Sequence, residues 1–337
     1  MRSTTRTGPT TSSRARARAA ADSAWSLRSV GGVRVLQAAT LGGIPWLLHG
    51  FSTRAGGESR VAGGTALNLG YTGWDSRAAV DANRRKFAAA VGARDWPFAT
   101  LRQFHSDLIR TTDLPAAGAS AKPLHGDAML TSTPRLMLAV QTADCVPILF
   151  ADTKRRTVAA IHAGWRGTLA RIAQKTLGRM RMEFGTRPHD VVAVLGPAID
   201  GCCYEVGPEV AQAFAAKFAA AAEWFEGPFE RLACGEEPNP LPWLTMMPPG
   251  HAPPPPRVHL DLRAANRWQL LDAGVPARQI TASELCTRCN ADLFFSYRRE
   301  GSKTGRLMAV IGIRPDRAPR ISALKASKRT RAKRAAR

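Results

Sequence analysis

Three residues with metal-binding side chains lie at places in this sequence where they could form a site. His105, Cys145 and His162 each lie where a short apolar run meets turn-forming residues. A thiolate and two imidazoles fill three positions of a tetrahedral zinc ion, and a catalytic zinc site keeps its fourth position for water or substrate. Zinc lowers the pKa of its bound water to about 7, which makes hydroxide available at neutral pH. These residue types therefore predict a catalytic metal site.

The same three residues permit two other interpretations. A cysteine outside a disulfide is most often a small buried hydrophobe, and Cys145 could also be a nucleophile that His105 or His162 activates. Spacing alone does not decide, because no two of the three form a short local motif such as Cys-x-x-Cys. The metal site and the activated nucleophile both require the three side chains to be in contact.

Several neighbouring residues are candidates for binding an anionic substrate. Arg166 and Gly167 lie in a glycine-rich turn that leads from His162 into a predicted helix. Backbone N–H groups and a guanidinium in such a turn can hold a phosphate or an oxyanion. Arg54, in a glycine-rich loop, and Arg298 are further candidates for contact with an anionic or planar substrate. Each arginine can equally be a solvated surface charge.

Two carboxylates accompany the predicted site. Asp127 follows a glycine, and Asp144 directly precedes Cys145. Each is a candidate for the partner of a metal-binding histidine or for a general base, and each could instead cap a turn. We include Asp144 with His105, Cys145 and His162 in the predicted catalytic set.

The other cysteines predict no second metal site. Cys286 and Cys289 form a Cys-x-x-Cys without a second such pair, which gives little support to a structural zinc or redox role. Cys202 and Cys203 are adjacent, and we interpret them as packing residues. The sequence has no His-x-His, which argues against a multicopper cluster, and it lacks the His-x-Glu and Pro-Cys-x-x-Cys of cytidine deaminases.

Short apolar runs bounded by Gly, Pro or Asp predict many strands, and three- and four-residue apolar spacing predicts a few helices. The predicted strands are at residues 33–38, 45–51, 101–104, 108–112, 128–131, 136–142, 146–150, 157–162, 191–195, 258–260, 279–283, 294–298 and 307–313. The predicted helices are at residues 74–90, 168–184, 208–222 and 262–273. This alternation predicts an α+β domain of mixed α/β layers, with mixed sheets flanked by helices.

The net charge of +22 is concentrated at the ends of the chain. Residues 1–29 carry a net charge of +5 and residues 314–337 one of +9. Such basic segments bury too little apolar surface to fold, so we predict disordered tails at 1–29 and 315–337 around one domain at 30–314. The tails could make weak, nonspecific contacts with nucleic acid. The proline-rich residues 226–258 predict an exposed insertion in the domain.

Composition also predicts the compartment. The chain has 6 cysteines among 337 residues and begins without the apolar segment of a secretory signal. No uncharged apolar stretch approaches the ~18 residues of a membrane-spanning helix. We therefore expect a cytoplasmic protein without a membrane partner.

Short motifs in fixed order along the chain resemble the YfiH family. This family is also called the laccase-domain, multicopper polyphenol oxidoreductase or peptidoglycan editing factor family. The resemblance extends over roughly residues 45–314. The motifs include His49-Gly50-Phe51-Ser52-Thr53-Arg54-Ala55-Gly56-Gly57, Leu67-Asn68-Leu69-Gly70, Gln103-Phe104-His105-Ser106, Thr142-Ala143-Asp144-Cys145-Val146-Pro147, His162-Ala163-Gly164-Trp165-Arg166-Gly167, Cys203-Tyr204-Glu205-Val206 and Phe295-Ser296-Tyr297-Arg298-Arg299.

The resemblance implies a single domain of layered mixed sheets and a zinc ion, or copper in older descriptions, held by His105, Cys145 and His162. It also implies phosphorolysis of adenosine, inosine and S-methyl-5′-thioadenosine, with purine nucleoside and phosphate as substrates, and deamination of adenosine. Two alternatives are copper-dependent oxidation of polyphenols and the editing of peptidoglycan precursors. The basic tails, the insertion at 226–258 and residues 58–64 depart from the family pattern, which leaves the substrate preference open. The sequence does not predict the oligomeric state.

Overall fold

Strands dominate the computed structural model, which describes residues 24–61, 64–113, 124–227 and 258–316. The strands are β1 Trp25–Val30, β2 Val33–Ala38, β3 Leu47–Ser52, β4 Ser59–Val61, β5 Gly64–Ala66, β6 Phe98–Thr100, β7 Ile109–Thr111, β8 Ala128–Thr131, β9 Met137–Thr142, β10 Val146–Asp152, β11 Thr157–Ala163, β12 Val191–Leu195, β13 Glu205–Val206, β14 Phe225–Glu226, β15 Val258–Leu260, β16 Ile280–Ala282 and β17 Leu307–Ile313. The α-helices are α1 Ala39–Gly42, α2 Arg77–Ala90, α3 Trp165–Leu169, α4 Ile172–Phe184, α5 Pro208–Ala215, α6 Leu262–Asp272 and α7 Tyr297–Glu300.

Two six-stranded sheets form the framework. The first sheet has the strand order β1-β2-β3-β17-β9-β6, and the second has the order β16-β12-β10-β11-β8-β7. Smaller sheets of β13-β15-β14 and β4-β5 accompany them. Most neighbouring strands are antiparallel, whereas the pairs β6 with β9, β7 with β8 and β12 with β16 are parallel. Both large sheets are therefore mixed.

The two large sheets pack face to face. Successive side chains of a strand point to opposite faces of its sheet, so each strand has one row of side chains between the sheets and one row on the outer face. In β17, Ala309 and Ile311 pack between the sheets, while Met308 and Val310 pack on the outer face of the first sheet. Helix α2 covers that outer face, and α4 and α6 cover the outer face of the second sheet. The layers confirm the predicted α+β architecture of mixed sheets flanked by helices. Burial on both faces explains why the central strands are continuous apolar runs.

Four predicted elements differ from the structure. The helix predicted at 168–184 is divided into α3 and α4, because Arg171 has a left-handed backbone with φ of 61°. The helix predicted at 208–222 ends at Ala215. The strand predicted at 101–104 is wrong: only Arg102 forms an isolated bridge there, and β6 lies just before it. The strand predicted at 294–298 is wrong: residues 294–296 are in no strand or helix, and α7 begins at Tyr297, where the Ser296 hydroxyl accepts a hydrogen bond from the N–H of Arg299.

The domain begins earlier than predicted. Strand β1 pairs with β2 along its whole length, so the predicted disorder of residues 1–29 is wrong for residues 25–29. Residues 1–23 and 317–337, which hold most of both predicted tails, lie outside the described residues. The predicted insertion begins in β14 and ends in β15, which pair with each other, and its residues 228–257 lie outside the described part. No described helix has both the length and the apolar character needed to span a membrane.

Acid is expected to destabilise the fold through His49. This residue of β3 is 2% exposed, burial lowers its pKa to about 4, and its Nε2 accepts a hydrogen bond from the N–H of Ala38. An unfolded histidine has a pKa of about 6.5, so the unfolded chain binds the proton more readily. This contribution to stability is complete above pH of about 6.5 and decreases as the pH falls to about 4, by up to about 3 kcal/mol.

Urea unfolding at several pH values measures this effect. His49→Gln is the control, because it cannot titrate, and it should lose less stability than the wild type between pH 7 and 5. Equal losses in the two proteins would assign the acid sensitivity to other groups.

Candidate functional site

The three predicted metal ligands meet at one rim of the second sheet. His105 precedes β7, Cys145 directly precedes β10, and His162 lies near the end of β11, opposite Pro147 of β10. The start of β10 and the end of β11 therefore share a rim. His105 Nε2 lies 3.7 Å from Cys145 Sγ, and the two imidazole centroids are 4.9 Å apart. The ligand atoms of all three residues lie within 4.8 Å of one another.

These positions fit a tetrahedral metal ion. Zinc bonds to nitrogen and sulfur of about 2.0–2.3 Å place two such ligands about 3.6 Å apart, which agrees with the 3.7 Å between His105 Nε2 and Cys145 Sγ. One thiolate and two imidazoles favour zinc or copper over magnesium or calcium. His162 is buried, Cys145 is partly exposed and His105 is exposed, so the site is accessible from the side of His105.

Asp127 positions two of the three ligands. Its Oδ1 lies 2.8 Å from Nδ1 of His162. Because a carboxylate only accepts, Nδ1 of the neutral imidazole donates, and Nε2 carries the lone pair that a metal ion requires. The same carboxylate accepts hydrogen bonds from the N–H of His105 at 3.1 Å and from the N–H and hydroxyl of Ser106 at 2.7 and 2.6 Å. Asp127 therefore fixes both the His162 ring and the loop that carries His105.

Two residues of the site have a left-handed backbone that non-glycine residues seldom adopt. The φ angles are 63° at His105 and 95° at Asp144, and such conformations cost about 1–3 kcal/mol each. The Asp144 carboxylate accepts hydrogen bonds from Thr287 Oγ1 and from the N–H of Arg298, both at 2.6 Å. Both of its oxygens thus contact protein groups. These contacts indicate a positioning role, and catalysis by Asp144 stays a prediction.

The ionisation of the site follows from its close contacts. Burial opposes charge on Cys145, but the charges and hydrogen bonds of His162 and His105 outweigh it and lower the pKa of the thiol to about 6. Burial likewise opposes charge on His162, yet the Cys145 thiolate and Asp127 raise its pKa to about 9. Hydrogen bonds from His162 and Ser106 overcome burial and lower the pKa of Asp127 to about 2. Without a metal, the site at neutral pH holds a thiolate beside an imidazolium.

The site leaves no room for a side chain at Gly164. A Cβ built there would lie 2.7 Å from His105 Cδ2 and 3.1 Å from Cys145 Sγ. Gly164→Ala is therefore expected to displace both ligands and to weaken zinc binding at least tenfold, as loss of ligand orientation does. The backbone φ of −77° is compatible with alanine, so the fold should persist.

Zinc titration against a competing chelator measures this effect, with circular dichroism as the test of folding. Gly178→Ala is the matched control, because its Cβ would meet nothing within 4 Å. Zinc affinity in Gly164→Ala equal to that of the control would contradict the geometry of the site.

The predicted substrate-binding residues have different surroundings. Arg54 donates to the Glu300 carboxylate at 2.9 Å, so its charge is already paired. Arg166 is exposed and lies over the ring of Trp165 at 4.2 Å. Gly167 allows the turn to approach the His105 loop, since a Cβ there would lie 3.2 Å from the Ser106 carbonyl oxygen. Contact of these residues with substrate stays a prediction.

Arg298 lies next to Tyr204, a residue for which no role was predicted from the sequence. Its guanidinium lies 5.3 Å from the ring centroid of Tyr204. Burial raises the pKa of Tyr204, and the charges of Cys145, Arg298 and Arg166 also act on it. Tyr204 therefore lies among the charged residues of the site, and no spacing rule predicted this because it comes from a separate loop.

A glutamine pair also supports the site. The Gln103 side-chain amide donates to the carbonyl oxygen of Gln141 and accepts from its N–H, both at 2.8 Å. The Gln103 side chain thus forms the same two hydrogen bonds with Gln141 that a neighbouring strand would form. These bonds connect the loop of His105 to the end of β9. Gln103 lies two residues before His105, in a motif that resembles the family, but no role was predicted for it from the sequence.

The four cysteines predicted to form no metal site also come together. The sulfurs of Cys202, Cys203, Cys286 and Cys289 all lie within 4.8 Å of one another. The interpretation of Cys202 and Cys203 as packing residues is therefore incomplete. The sequence showed no second Cys-x-x-Cys beside Cys286 and Cys289, but in the structure the adjacent pair Cys202 and Cys203 takes that place.

Comparison with known proteins identifies the family. The model of the family described as multi-copper polyphenol oxidoreductase laccase matches residues 48–314. The chain belongs to this family. The purine nucleoside phosphorylase of Deinococcus radiodurans is 39% identical over 267 residues, which cover 79% of this chain and 88% of that protein. Adenosine deaminase RL5, from an unknown prokaryotic organism, is 34% identical over 77% of this chain and 92% of its own length.

A solved structure supports the same family membership. The crystal structure of the Bacillus licheniformis hypothetical protein YfiH matches this chain with a TM-score of 0.70 at 31% sequence identity. The match covers 86% of this chain and 99% of that one. The resemblance to the YfiH family and the layered single-domain fold are thus confirmed.

Proposed function

We propose that this protein is a zinc-dependent purine nucleoside phosphorylase that cleaves adenosine, inosine and S-methyl-5′-thioadenosine and also deaminates adenosine. The observation that carries the proposal is the meeting of His105, Cys145 and His162 at one rim, with Asp127 orienting His162. The similar proteins named purine nucleoside phosphorylase and adenosine deaminase support the choice of reactions.

Phosphorolysis requires that the protein bind inorganic phosphate next to the nucleoside. An oxygen of inorganic phosphate attacks C1′ of the ribose, the bond from C1′ to the purine nitrogen breaks, and the released purine takes up a proton. The guanidinium groups of Arg166 and Arg298, whose charges act on Tyr204 together with that of Cys145, supply positive charge where phosphate would lie. A guanidinium binds phosphate oxygens in pairs, which would orient the attacking oxygen.

Deamination requires an attacking water. The water adds to C6 of adenosine, and the amino group leaves as ammonia. A bound zinc ion would supply a water of lowered pKa. The His105 side of the site is accessible to a nucleoside, whereas Asp127 and His162 are buried below it. Asp127 and His162 would therefore hold the site from the buried side, while a substrate would enter from the exposed side of His105.

Metal analysis combined with a turnover assay tests the proposal. The purified protein, stripped of metal and reloaded with zinc, should release adenine and ribose 1-phosphate from adenosine only when phosphate is present. Ammonia and inosine should form without phosphate. The absence of phosphate-dependent adenine release from zinc-loaded, folded protein would overturn the phosphorylase assignment.

Copper is the specific rival, because two histidines and one cysteine are also a copper donor set. Reloading the same stripped sample with copper provides the comparison. Oxidation of a phenol by the copper form, without nucleoside turnover by either form, would favour the polyphenol oxidase instead.

A further inference from the structure

Four cysteine sulfurs form a second cluster apart from the His105, Cys145 and His162 site. Sγ of Cys202 lies 3.5 Å from that of Cys203 and 3.6 Å from that of Cys289, and Cys203 and Cys289 are 3.4 Å apart. Cys286 completes the group, with all four sulfurs within 4.8 Å of one another. The adjacent pair and the Cys-x-x-Cys therefore face a common point.

This spacing fits a tetrahedral zinc ion. Four Zn–S bonds of about 2.3 Å place neighbouring sulfurs about 3.8 Å apart. The three sulfur–sulfur distances among Cys202, Cys203 and Cys289 are close to this value, at 3.4–3.6 Å. Sets of four cysteines are characteristic of structural zinc sites, and their closed coordination leaves no position for substrate.

A cationic side chain lies beside the cluster. The Arg288 guanidinium lies 3.7 Å from the sulfur of Cys203. Four thiolates around one zinc ion would carry a net charge of −2, and the Arg288 guanidinium would offset part of it.

The cluster also joins two distant segments of the chain. Ala198 pairs with Cys286 as an isolated parallel bridge, and the N–H of Thr287 donates to the Ala198 carbonyl at 3.1 Å. The chain turns back at Cys286–Cys289, where the N–H of Asn290 donates to the Cys286 carbonyl at 3.1 Å. The backbone thus holds both cysteine pairs in place.

We propose that the reduced protein binds a structural zinc ion through Cys202, Cys203, Cys286 and Cys289. Cys289 is disulfide-bonded in this structure, so zinc binding requires reduction of that bond. Two thiols of a reductant supply two electrons and two protons and become a disulfide themselves. The four cysteine thiols then release their protons as they bind zinc.

The ion would stabilise residues next to the proposed active site. Thr287, between the two cysteines of the Cys-x-x-Cys, donates to Asp144 at 2.6 Å, and Asp144 adjoins Cys145. Tyr204 directly follows Cys203 and contacts Arg298. The zinc ion therefore holds the segments that position these side chains. The inference stands on the sulfur geometry and does not depend on the proposed reaction.

Zinc content under reducing conditions tests the proposal. The Cys145→Ala variant keeps all four cysteines of the cluster and lacks a ligand of the other site. Wild-type protein should hold about two zinc ions per chain and Cys145→Ala about one. Replacing that zinc with cobalt should give the absorption bands of tetrahedral cobalt bound by thiolates. A folded, reduced Cys145→Ala protein that contains no zinc and shows no such bands would overturn the proposal.

A pair of substitutions at Cys289 assigns the ion to the cluster. In the Cys145→Ala background, Cys289→His keeps a zinc ligand, whereas Cys289→Ala removes it. The histidine variant should retain its zinc against a chelator, and the alanine variant should lose it at least tenfold more readily. Equal retention by both variants would place the ion elsewhere and reject the site.

Discussion

Replacing Cys145 with alanine is expected to remove the metal of the His105, Cys145 and His162 site and to lower kcat/KM for nucleosides by about 10³ or more. A metal ion contributes several kcal/mol of transition-state stabilisation, and each 1.36 kcal/mol is about tenfold in rate. His162→Ala should have the same effect, since its ring supplies another ligand and contacts Asp127 at 2.8 Å. Zinc analysis and steady-state kinetics on the same samples make the measurement.

His189→Ala is the matched control for this prediction. The His189 side chain is 60% exposed. His189 lies just before β12, whose first residue pairs with Asp152 at the end of β10 opposite to Cys145. This variant should keep both zinc and activity. Nucleoside turnover that persists in Cys145→Ala after complete loss of zinc would reject the metal-dependent mechanism.

Asp127→Asn is expected to weaken zinc binding about 10- to 100-fold, the usual effect of removing the partner of a metal-binding histidine. The amide keeps one acceptor oxygen, but its NH₂ must then face His162 Nδ1 or the donors of Ser106. The His162 ring and the left-handed turn at His105 both lose part of their support. Excess zinc should restore part of the activity, because the three proposed metal ligands remain.

Asp107→Asn provides the comparison in the same loop. Asp107 pairs with Lys175 at the surface, where an ion pair contributes little, so zinc affinity should not change. Chelator competition gives the affinities, and the dependence of rate on zinc concentration gives the rescue. Unchanged zinc affinity in Asp127→Asn would remove the positioning role that we assign to Asp127.

The layers and the convergence of two of the three predicted ligands have the same physical origin. Strands buried on both faces are continuous apolar runs, and β10 and β11 stand out between turns. Cys145 and His162 lie at their ends, so antiparallel pairing of β10 with β11 brings these two residues to one rim. Local patterns therefore suggested that these two residues could meet, and only the family resemblance favoured a metal site over the other interpretations.

Contacts between distant segments could not be predicted in this way. Cys203 and Cys289 meet because β12 and β16 are parallel neighbours, which brings the segments that follow them together. Nothing in the spacing of the cysteines encodes that neighbour relation. The break at Arg171 was also missed, because the apolar spacing of residues 168–184 continues through it while the backbone does not.

The common rim of His105, Cys145 and His162 has a thermodynamic consequence. These residues lie in or next to β7, β10 and β11 of one sheet, so unfolding that sheet would separate the three side chains and release a bound ion. Zinc at 100 times its dissociation constant would then add about 2.7 kcal/mol to the free energy of unfolding. Heat resistance of the purified enzyme should accordingly rise with the concentration of unbound zinc, even when no nucleoside is present.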